Sequence, residues 1–202
     1  MKKYLLSLYV VAVATLSGCA FGPLVNHETA RTVGNSNHEL IGGYGMAGFV
    51  FKWNYGLTEN LDLGLHLESL NIGLRAKYAF INSNDGWSLA TAFGTGVSLP
   101  DASHFYGDLI GSYMTGAWEP YGTLRFVHVK NNSLDFKDQK TGQVNFTVPS
   151  SEYDYGQFIL GTRYWFTPHW LFSIEASSIF VTTPGLKFSK NIFAGLAFGY
   201  RF

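Results

Sequence analysis

Ile192-Phe193-Ala194-Gly195-Leu196-Ala197-Phe198-Gly199-Tyr200-Arg201-Phe202 is the stretch that decides the fold. Every second residue from Ile192 to Phe202 is apolar or aromatic. Apart from Phe193, the residues between them are small or, at Arg201, charged. Successive side chains of a β-strand point to opposite faces, so this period of two predicts a strand with one wholly apolar face.

The same alternation recurs along the chain, in residues 61–68, 71–80, 157–166 and 170–177. In 61–68, leucine occupies every odd position, while aspartate, glycine, histidine and glutamate occupy the even ones. Aromatic residues form 17% of the chain and glycines number 23, whereas charged residues form only 14%. This composition favours many short strands over helices.

The apolar face of such strands can point into a sandwich core or out into lipid. The opposite face carries small residues and charges of both signs, as the interior of a membrane barrel does. The predicted strands run about 10 residues, the length that a tilted strand needs to cross a bilayer. Aromatic residues crowd one end of the strands, as in an interfacial girdle. The sequence therefore predicts an all-β, closed, antiparallel up-and-down transmembrane barrel. A soluble periplasmic sandwich is the alternative.

Ten strands follow from the alternation and the turn signals. We expect them near 28–33, 39–56, 61–68, 71–80, 87–98, 105–118, 120–130, 153–166, 170–181 and 191–202. An even number places both chain ends on the periplasmic side. The connections 57–60, 81–86, 119–120 and 167–169 are short and fall on that side, while 131–152 is the longest and falls outside. Omitting the first strand, or splitting 39–56, changes the count, and a barrel of eight strands is the main alternative.

Two motifs support this class. The stretch 197–202 resembles the terminal strand of bacterial outer-membrane barrel proteins, in which an alternating aromatic strand ending in Phe is read by the insertion machinery. The stretch 55–64 resembles a strand–turn–strand motif of small outer-membrane barrels. The resemblance implies the outer membrane of a Gram-negative cell, contact with its lipids and insertion by that machinery.

The beginning of the chain has a different signature. Lys2 and Lys3 precede an apolar run over 5–16, followed by Leu16-Ser17-Gly18-Cys19. A charged region, a short apolar region and a small-residue cleavage site form a signal peptide, and the last four residues resemble the lipobox of bacterial lipoproteins. The alternative is an ordinary secretory signal with a chance cysteine.

The lipobox resemblance implies a domain division. Residues 1–18 would be the lipoprotein signal peptide, 19–27 a lipidated N-terminal segment and 28–202 the barrel. It also implies a covalent lipid on Cys19, recognition by the lipoprotein-sorting machinery, and an N-terminus held beside the inner leaflet. Ala20, rather than Asp, is consistent with sorting to the outer membrane.

Composition excludes several functions. The chain has 14 basic and 14 acidic residues, and without Lys2 and Lys3 it has 12 against 14, a net charge of −2. This balance, with no basic run, gives no basis for nucleic-acid binding. A single cysteine excludes an intramolecular disulfide, and the six histidines show no metal-ligand spacing. We expect no metal and no cofactor besides the lipid.

The inward face of the predicted barrel carries a set of charged residues: Lys52, Asp62, Glu68, Arg75, Lys77, Asp108, Arg125, Arg163, Glu175 and Arg201. Six are basic and four are acidic. Buried charges persist where they are paired, so the first interpretation is a sealed, ion-paired lumen. The alternative is a narrow channel in which the surplus of basic over acidic side chains favours anions.

A second cluster is predicted at the outer rim, where His66 and Glu68 end one strand. Asp101, Ser103 and His104 lie in the loop between the strands expected at 87–98 and 105–118. A histidine, an acid and a serine are the parts of a nucleophile, base and orienter if they converge. Outer-membrane proteases and lipid-modifying enzymes place such residues at this height, but none of their motifs matches here. Polar residues also cluster at a barrel rim simply because the rim is in contact with water. Whether the chain is an enzyme therefore stays open, and no catalytic residue is assigned.

The connection 131–152 offers a further surface, since residues 143–148 can extend a hairpin above the membrane. The leading hypothesis is therefore an envelope barrel with a structural or surface-interaction role, whose protein partner the sequence does not identify. A passive channel and a rim enzyme are the alternatives.

Overall fold

The protein is described here by a computed structural model, which describes residues 22–46, 48–137, 143–183 and 192–202. Ten antiparallel strands close a barrel, and two more form a separate hairpin. The strands are β1 His38–Gly45, β2 Gly48–Gly56, β3 Leu61–Glu68, β4 Asn71–Ile81, β5 Gly86–Ser98, β6 Ala102–Met114, β7 Trp118–Asn131, β8 Leu134–Lys137, β9 Val144–Val148, β10 Ser151–Trp165, β11 Trp170–Val181 and β12 Ile192–Arg201. Among these residues, no helix is long and apolar enough to cross a membrane.

The barrel closes where β12 pairs with β1. Their register runs from Glu39 opposite Arg201 to Gly45 opposite Gly195. Beyond it, His38 and Phe202 exchange both backbone hydrogen bonds, at 2.8 and 2.9 Å. Closure leaves the sheet no open edge. The prediction of a closed antiparallel barrel of ten strands is confirmed.

The alternation predicted from the sequence is present on both faces of the wall. Leu74 is 62% exposed and Phe198 53% exposed on the outside, while Arg75 and Ala197 beside them are buried. Aromatic side chains pack against one another around one end of the barrel, as Trp118 does with Tyr164 and Trp170 with Tyr200, each at 4.7 Å between ring centroids. The outer face is thus apolar, with an aromatic belt at that end.

The two ends of the barrel differ. We call the end formed by connections 57–60, 82–85, 115–117 and 166–169 the turn end; Phe202 lies there. We call the opposite end the loop end; it carries connections 46–47, 69–70, 99–101, 132–150 and 182–191. The loop end therefore has three short turns as well as its two long connections.

The prediction of a strand at 28–33 is wrong. These residues lie inside the barrel and pair with no strand, and the wall begins at His38 rather than at residue 28. The single strand expected at 39–56 is also wrong, because the chain turns at 46–47 between β1 and β2. The two errors cancel, so the strand count remains ten.

The turn expected at 119–120 is displaced as well. The chain turns at residues 115–117, where Gly116 has a φ of +59° that suits glycine. Pro120 lies within β7, which fits a residue without a backbone N–H because the pairing of β7 with β6 ends at Tyr121. The displacement puts Glu119 in a strand, with its side chain in the lumen.

Strands β8 and β9 form a short hairpin of their own within the connection from β7 to β10. Its described side chains are mostly exposed, for example Phe146 at 61%. The hairpin expected around 143–148 is therefore present at the loop end.

Candidate functional site

The lumen is occupied by the chain itself. Residues 22–33, here called the lumen segment, are almost entirely buried inside the barrel. Gly22 lies against Val127 and Tyr155 near the loop end, and Val33 bonds to Asp62 near the turn end. An extended segment of 12 residues reaches about 40 Å, enough to run the length of a bilayer-spanning barrel.

The chain then reverses at the turn end to enter β1. Gly34 has a φ of +87°, and its carbonyl accepts the Asn37 backbone N–H at 3.1 Å. The Ser36 N–H donates to the Gly56 carbonyl at 2.8 Å, which fixes the reversal against the end of β2. Glycine at position 56 leaves room for the Gly34 backbone, because a side chain there would overlap the Gly34 carbonyl.

Acidic side chains of the wall accept hydrogen bonds from backbone amides of the lumen segment. The pairs are Leu24 with Glu68 (3.0 Å), Asn26 and His27 with Glu175 (2.7 and 2.5 Å), and Val33 with Asp62 (3.2 Å). All three carboxylates are buried. A buried amide without a partner is costly, so these acids replace the neighbouring strand that the segment lacks.

Other side chains of the wall donate hydrogen bonds to the carbonyls of the lumen segment. The pairs are Arg125 to Pro23 (2.7 Å), Gln157 to Leu24 (2.5 Å), Lys52 to Asn26 (2.6 Å), Arg163 to His27 (2.5 Å), and Lys77 to Thr29 (3.2 Å) and Arg31 (2.7 Å). Six carbonyls of the lumen segment are thus bonded by five wall side chains. The polar side chains of the wall therefore match the backbone of this segment. Acids lie opposite its amides, and basic residues together with Gln157 lie opposite its carbonyls.

Glu28 is the acidic centre of the lumen segment. Its carboxylate lies 3.1 Å from Lys52 Nζ and 2.6 Å from Arg75 Nη1. Arg75 also pairs with Asp108 at 3.2 Å, and Asp108 holds Arg125 through two hydrogen bonds of 2.7 and 2.9 Å. Three cations and two anions form one buried network, in which Glu28 supplies an anion that the wall does not.

A second set of ion pairs closes the turn end. Arg31 of the lumen segment makes a two-point contact with Glu119, with both distances 2.8 Å. Glu39 binds Arg163 at 3.0 Å and Arg201 at 2.7 Å. Two-point pairing of guanidinium with carboxylate is the strongest geometry for such contacts. The segment is therefore held by charge at the turn end as well as at mid-lumen.

All ten residues predicted to line the lumen lie on its wall: Lys52, Asp62, Glu68, Arg75, Lys77, Asp108, Arg125, Arg163, Glu175 and Arg201. The structure adds Glu39 and Glu119, which sequence reasoning missed. The described wall then carries six acidic against six basic side chains, and the predicted anion-favouring surplus disappears. Glu39 was missed because the turn at 46–47 switches which positions point inward, and Glu119 because it was assigned to a turn.

The predicted rim cluster is divided between two faces. His66, Glu68 and His104 point into the lumen and are buried, while Ser103 is exposed on the outer face and Asp101 in a turn. The Asp101 carboxylate accepts a hydrogen bond from the Asn132 side chain at 3.0 Å instead of contacting a histidine. The structure therefore places Glu68 on the same inward face as the two histidines, but it does not bring Ser103 or Asp101 to them.

The two inward histidines form a small buried cluster of their own. The rings of His66 and His104 are 6.2 Å apart, and His104 Nδ1 lies 3.2 Å from the Ser98 hydroxyl. Among the described residues, no hydrogen-bond partner reaches Nε2 of either histidine. A serine–histidine pair needs a third group to orient the imidazole, and none contacts His104 Nε2 here. Groups of three or more potential metal ligands are not found among the described residues.

Cys19 and its signal lie outside the described residues. Gly22, the first described residue, and Phe202 lie at opposite ends of the barrel, whereas the sequence analysis expects both chain ends on the periplasmic side.

Comparison with solved structures identifies the fold. The chain is similar to the outer membrane protease OmpT of Escherichia coli (TM-score 0.52, 12% identity), covering 88% of this chain and 100% of that one. It is also similar to the NanC porin (0.50, 10%, covering 81% and 97%) and to the N-terminal β-barrel domain of Pseudomonas aeruginosa OprF (0.40, 15%, 82% and 96%). No protein-family model and no curated protein matches the chain. At these identities the likeness establishes the fold alone, that of a bacterial outer-membrane β-barrel.

Proposed function

We propose that this protein is an outer-membrane β-barrel lipoprotein whose lumen is sealed by its own N-terminal segment, and that its role is structural or lies in surface interaction rather than in transport. The observation that carries the proposal is the hydrogen bonding of the lumen segment to the wall from Pro23 to Val33. The apolar outer face and the aromatic belt support placement in a membrane.

Sealing follows from what already occupies the lumen. The side chains of Arg125 and Arg163 are fully buried and reach the lumen segment at two heights from the neighbouring strands β7 and β10. An ion passing through would have to displace the Glu28 ion pairs, at a cost of several kcal/mol for each buried charge left without its partner. A passive channel has no such obstruction, so the geometry favours the sealed barrel over a channel.

Planar-bilayer recording tests the proposal. We expect the full chain to give no steady conductance, and Glu28→Ala to give openings because its loss loosens the centre of the lumen segment. Glu59→Ala is the matched control, since Glu59 is exposed in a connection at the turn end, and it should stay silent. Steady openings of the unaltered chain would overturn the sealed lumen.

The lipid on Cys19 belongs to the same proposal. Leu16-Ser17-Gly18-Cys19 supports acylation of the thiol and removal of the preceding peptide. We expect the N-terminal peptide of the mature protein to begin at Cys19 and to carry the mass of its acyl groups, and Cys19→Ser to lose both features. Because the barrel itself holds the chain, the exported Cys19→Ser protein should remain in the membrane fraction. Its release would contradict the membrane barrel.

A further inference from the structure

The lumen segment runs from the loop end, at Gly22, to the turn end, at Val33, and this direction bears on the position of the N-terminus. His104 is the third residue of β6, Tyr155 the fifth of β10, and Val127 is four residues from the end of β7, so all three lie toward the loop end. Gly22 lies beside these three side chains, each of which would be within 3.5 Å of a Cβ at this position. Leu24 donates to Glu68, the last residue of β3, which is at the same end.

The route toward the turn end is closed to the residues that precede Gly22. Leu24 packs against an apolar cluster that includes Tyr106, Val127 and Phe193, and the space below it holds residues 25–33 with their ion pairs. A second strand of chain would have to displace these buried ion pairs, and breaking each of them from one side is costly. The described residues thus fill the lumen from Leu24 toward the turn end, which leaves the loop end as the route for the preceding chain.

Cys19 can leave the barrel by this route. Three residues separate it from Gly22, which corresponds to a reach of at most about 11 Å. On the side of β6, only two residues of wall extend beyond His104, or about 7 Å of strand. Beside Glu68 the wall ends in the short turn 69–70. The chain length thus allows Cys19 to pass the rim.

We infer that the mature N-terminus emerges at the loop end, so that the acyl chains on Cys19 enter the membrane leaflet at that end and not the leaflet beside Phe202. The inference rests on the proposed lipidation and places the anchor in the outer leaflet, given that the turn end faces the periplasm. The lumen segment is then a threaded tether, with its lipid at one end of the barrel and β1 at the other.

A tag experiment compares the N-terminus with both ends of the barrel. The same epitope, carrying a protease site, is inserted between Ala20 and Phe21, after Gln143 at the loop end, or between Asn84 and Asp85 at the turn end. Intact cells are treated with external protease and the remaining epitope is quantified. We expect the N-terminal tag to be cleaved to the same extent as the Gln143 tag, and the tag at Asn84 to be protected until the outer membrane is opened. An N-terminal tag that is protected like the tag at Asn84 overturns the inference.

A cross-linking experiment needs no insertion. A Cβ on Gly22 would lie 2.7 Å from Cγ1 of Val127, so Gly22→Cys with Val127→Cys places the two thiols close to each other. The control pair is Gly22→Cys with Met114→Cys, because Met114 ends β6 at the turn end. We expect oxidation to cross-link most of the first pair and none of the second. Cross-linking of the second pair, or of neither, would overturn the threaded path.

The two proposals fail separately. Conductance by the unaltered chain would remove the sealed lumen and leave the tag result unaffected. A tag protected like the one at Asn84 would remove the loop-end exit while the barrel could still be silent.

Discussion

The lumen segment and the β8–β9 hairpin are two polar stretches outside the barrel wall, and their backbones are satisfied in opposite ways. The hairpin bonds to itself, from Leu134 opposite Val148 to Lys137 opposite Val144, and most of its described side chains face water. The lumen segment pairs with no strand, and its amides and carbonyls are bonded by side chains of the wall. A self-paired stretch is independent of the barrel interior, whereas an unpaired buried stretch depends on every wall side chain that contacts it.

This difference explains why the lumen contains so many charged side chains. In a lumen filled only by side chains, acids and bases need only neutralise one another. Here Glu175 binds two backbone amides and Arg163 binds the His27 carbonyl in addition to Glu39. The charged side chains of the wall therefore fix the backbone of the lumen segment in one particular path. Substitutions in the segment and its contacts should be costly, and those in the hairpin should have little effect.

The largest effect is expected from Glu28→Ala. Its removal leaves Arg75 and Arg125 to share the carboxylate of Asp108, and it takes from Lys52 the carboxylate 3.1 Å away. Breaking a buried ion pair from one side costs about 3–5 kcal/mol. The free energy of unfolding, measured by urea titration of the refolded protein in detergent micelles, should fall by about that amount.

Glu28→Gln separates the charge of this residue from its size, because the amide fills the same space. We expect it to be destabilising as well, though less than Glu28→Ala, since the amide oxygen still accepts a hydrogen bond from one of the two cations. Glu59→Gln on the exposed connection is the control. Equal stability of Glu28→Gln and the unaltered chain would show that the network does not need this charge.

The next largest effect is expected from Glu175→Gln. The carboxylate accepts from the Asn26 amide at 2.7 Å, the His27 amide at 2.5 Å and the Tyr121 hydroxyl at 2.7 Å. A glutamine has one acceptor oxygen, so at least one of these buried donors loses its partner, at about 1–3 kcal/mol. The same urea titration measures the loss. Amide hydrogen exchange at Asn26 and His27 should also become faster, and unchanged exchange would argue against this contact.

The barrel wall was largely predictable because its signal is local. Period-two alternation depends on neighbouring residues, and it located β3, β4, β5, β11 and β12 to within about two residues. The error at 39–56 has the same origin. Gly45 pairs with Gly48, so the two apolar strands are separated by only two positions, and the alternation in the sequence shows no break there. The assignment of inward positions was therefore correct at Lys52 and reversed at Glu39.

The lumen segment was not predictable in the same way. Its bonds join residues 24 and 68, 26 and 175, or 27 and 163, which are 44, 149 and 136 positions apart. No pattern within residues 22–33 indicates these partners, and taken by itself the stretch 28–33 predicts a short strand. The wall charges were found from alternation, but their pairing with a backbone emerges only once the barrel is closed.

A smaller effect is expected from Arg31→Lys at the turn end. Lysine keeps the charge but loses the two-point contact with Glu119 and the position of the guanidinium 5.7 Å from the Trp165 ring. We expect a loss of about 1 kcal/mol in the free energy of unfolding. Arg31→Met is the comparison, and it should cost more because it leaves the buried Glu119 carboxylate without that cation. If the two variants were equally stable, the pair would not fix the end of the lumen segment.

The smallest effect is expected in the hairpin, from Asp135→Asn. The Thr147 hydroxyl donates to the Asp135 carboxylate at 2.7 Å, but both residues are exposed and water can replace either partner. The urea midpoint should not move, and neither should the protease sensitivity of the loop end. A loss as large as that of Arg31→Lys would mean that the hairpin packs on the barrel or on the emerging N-terminus. The two stretches would then be coupled at the loop end, and their independence, on which the comparison depends, would be lost.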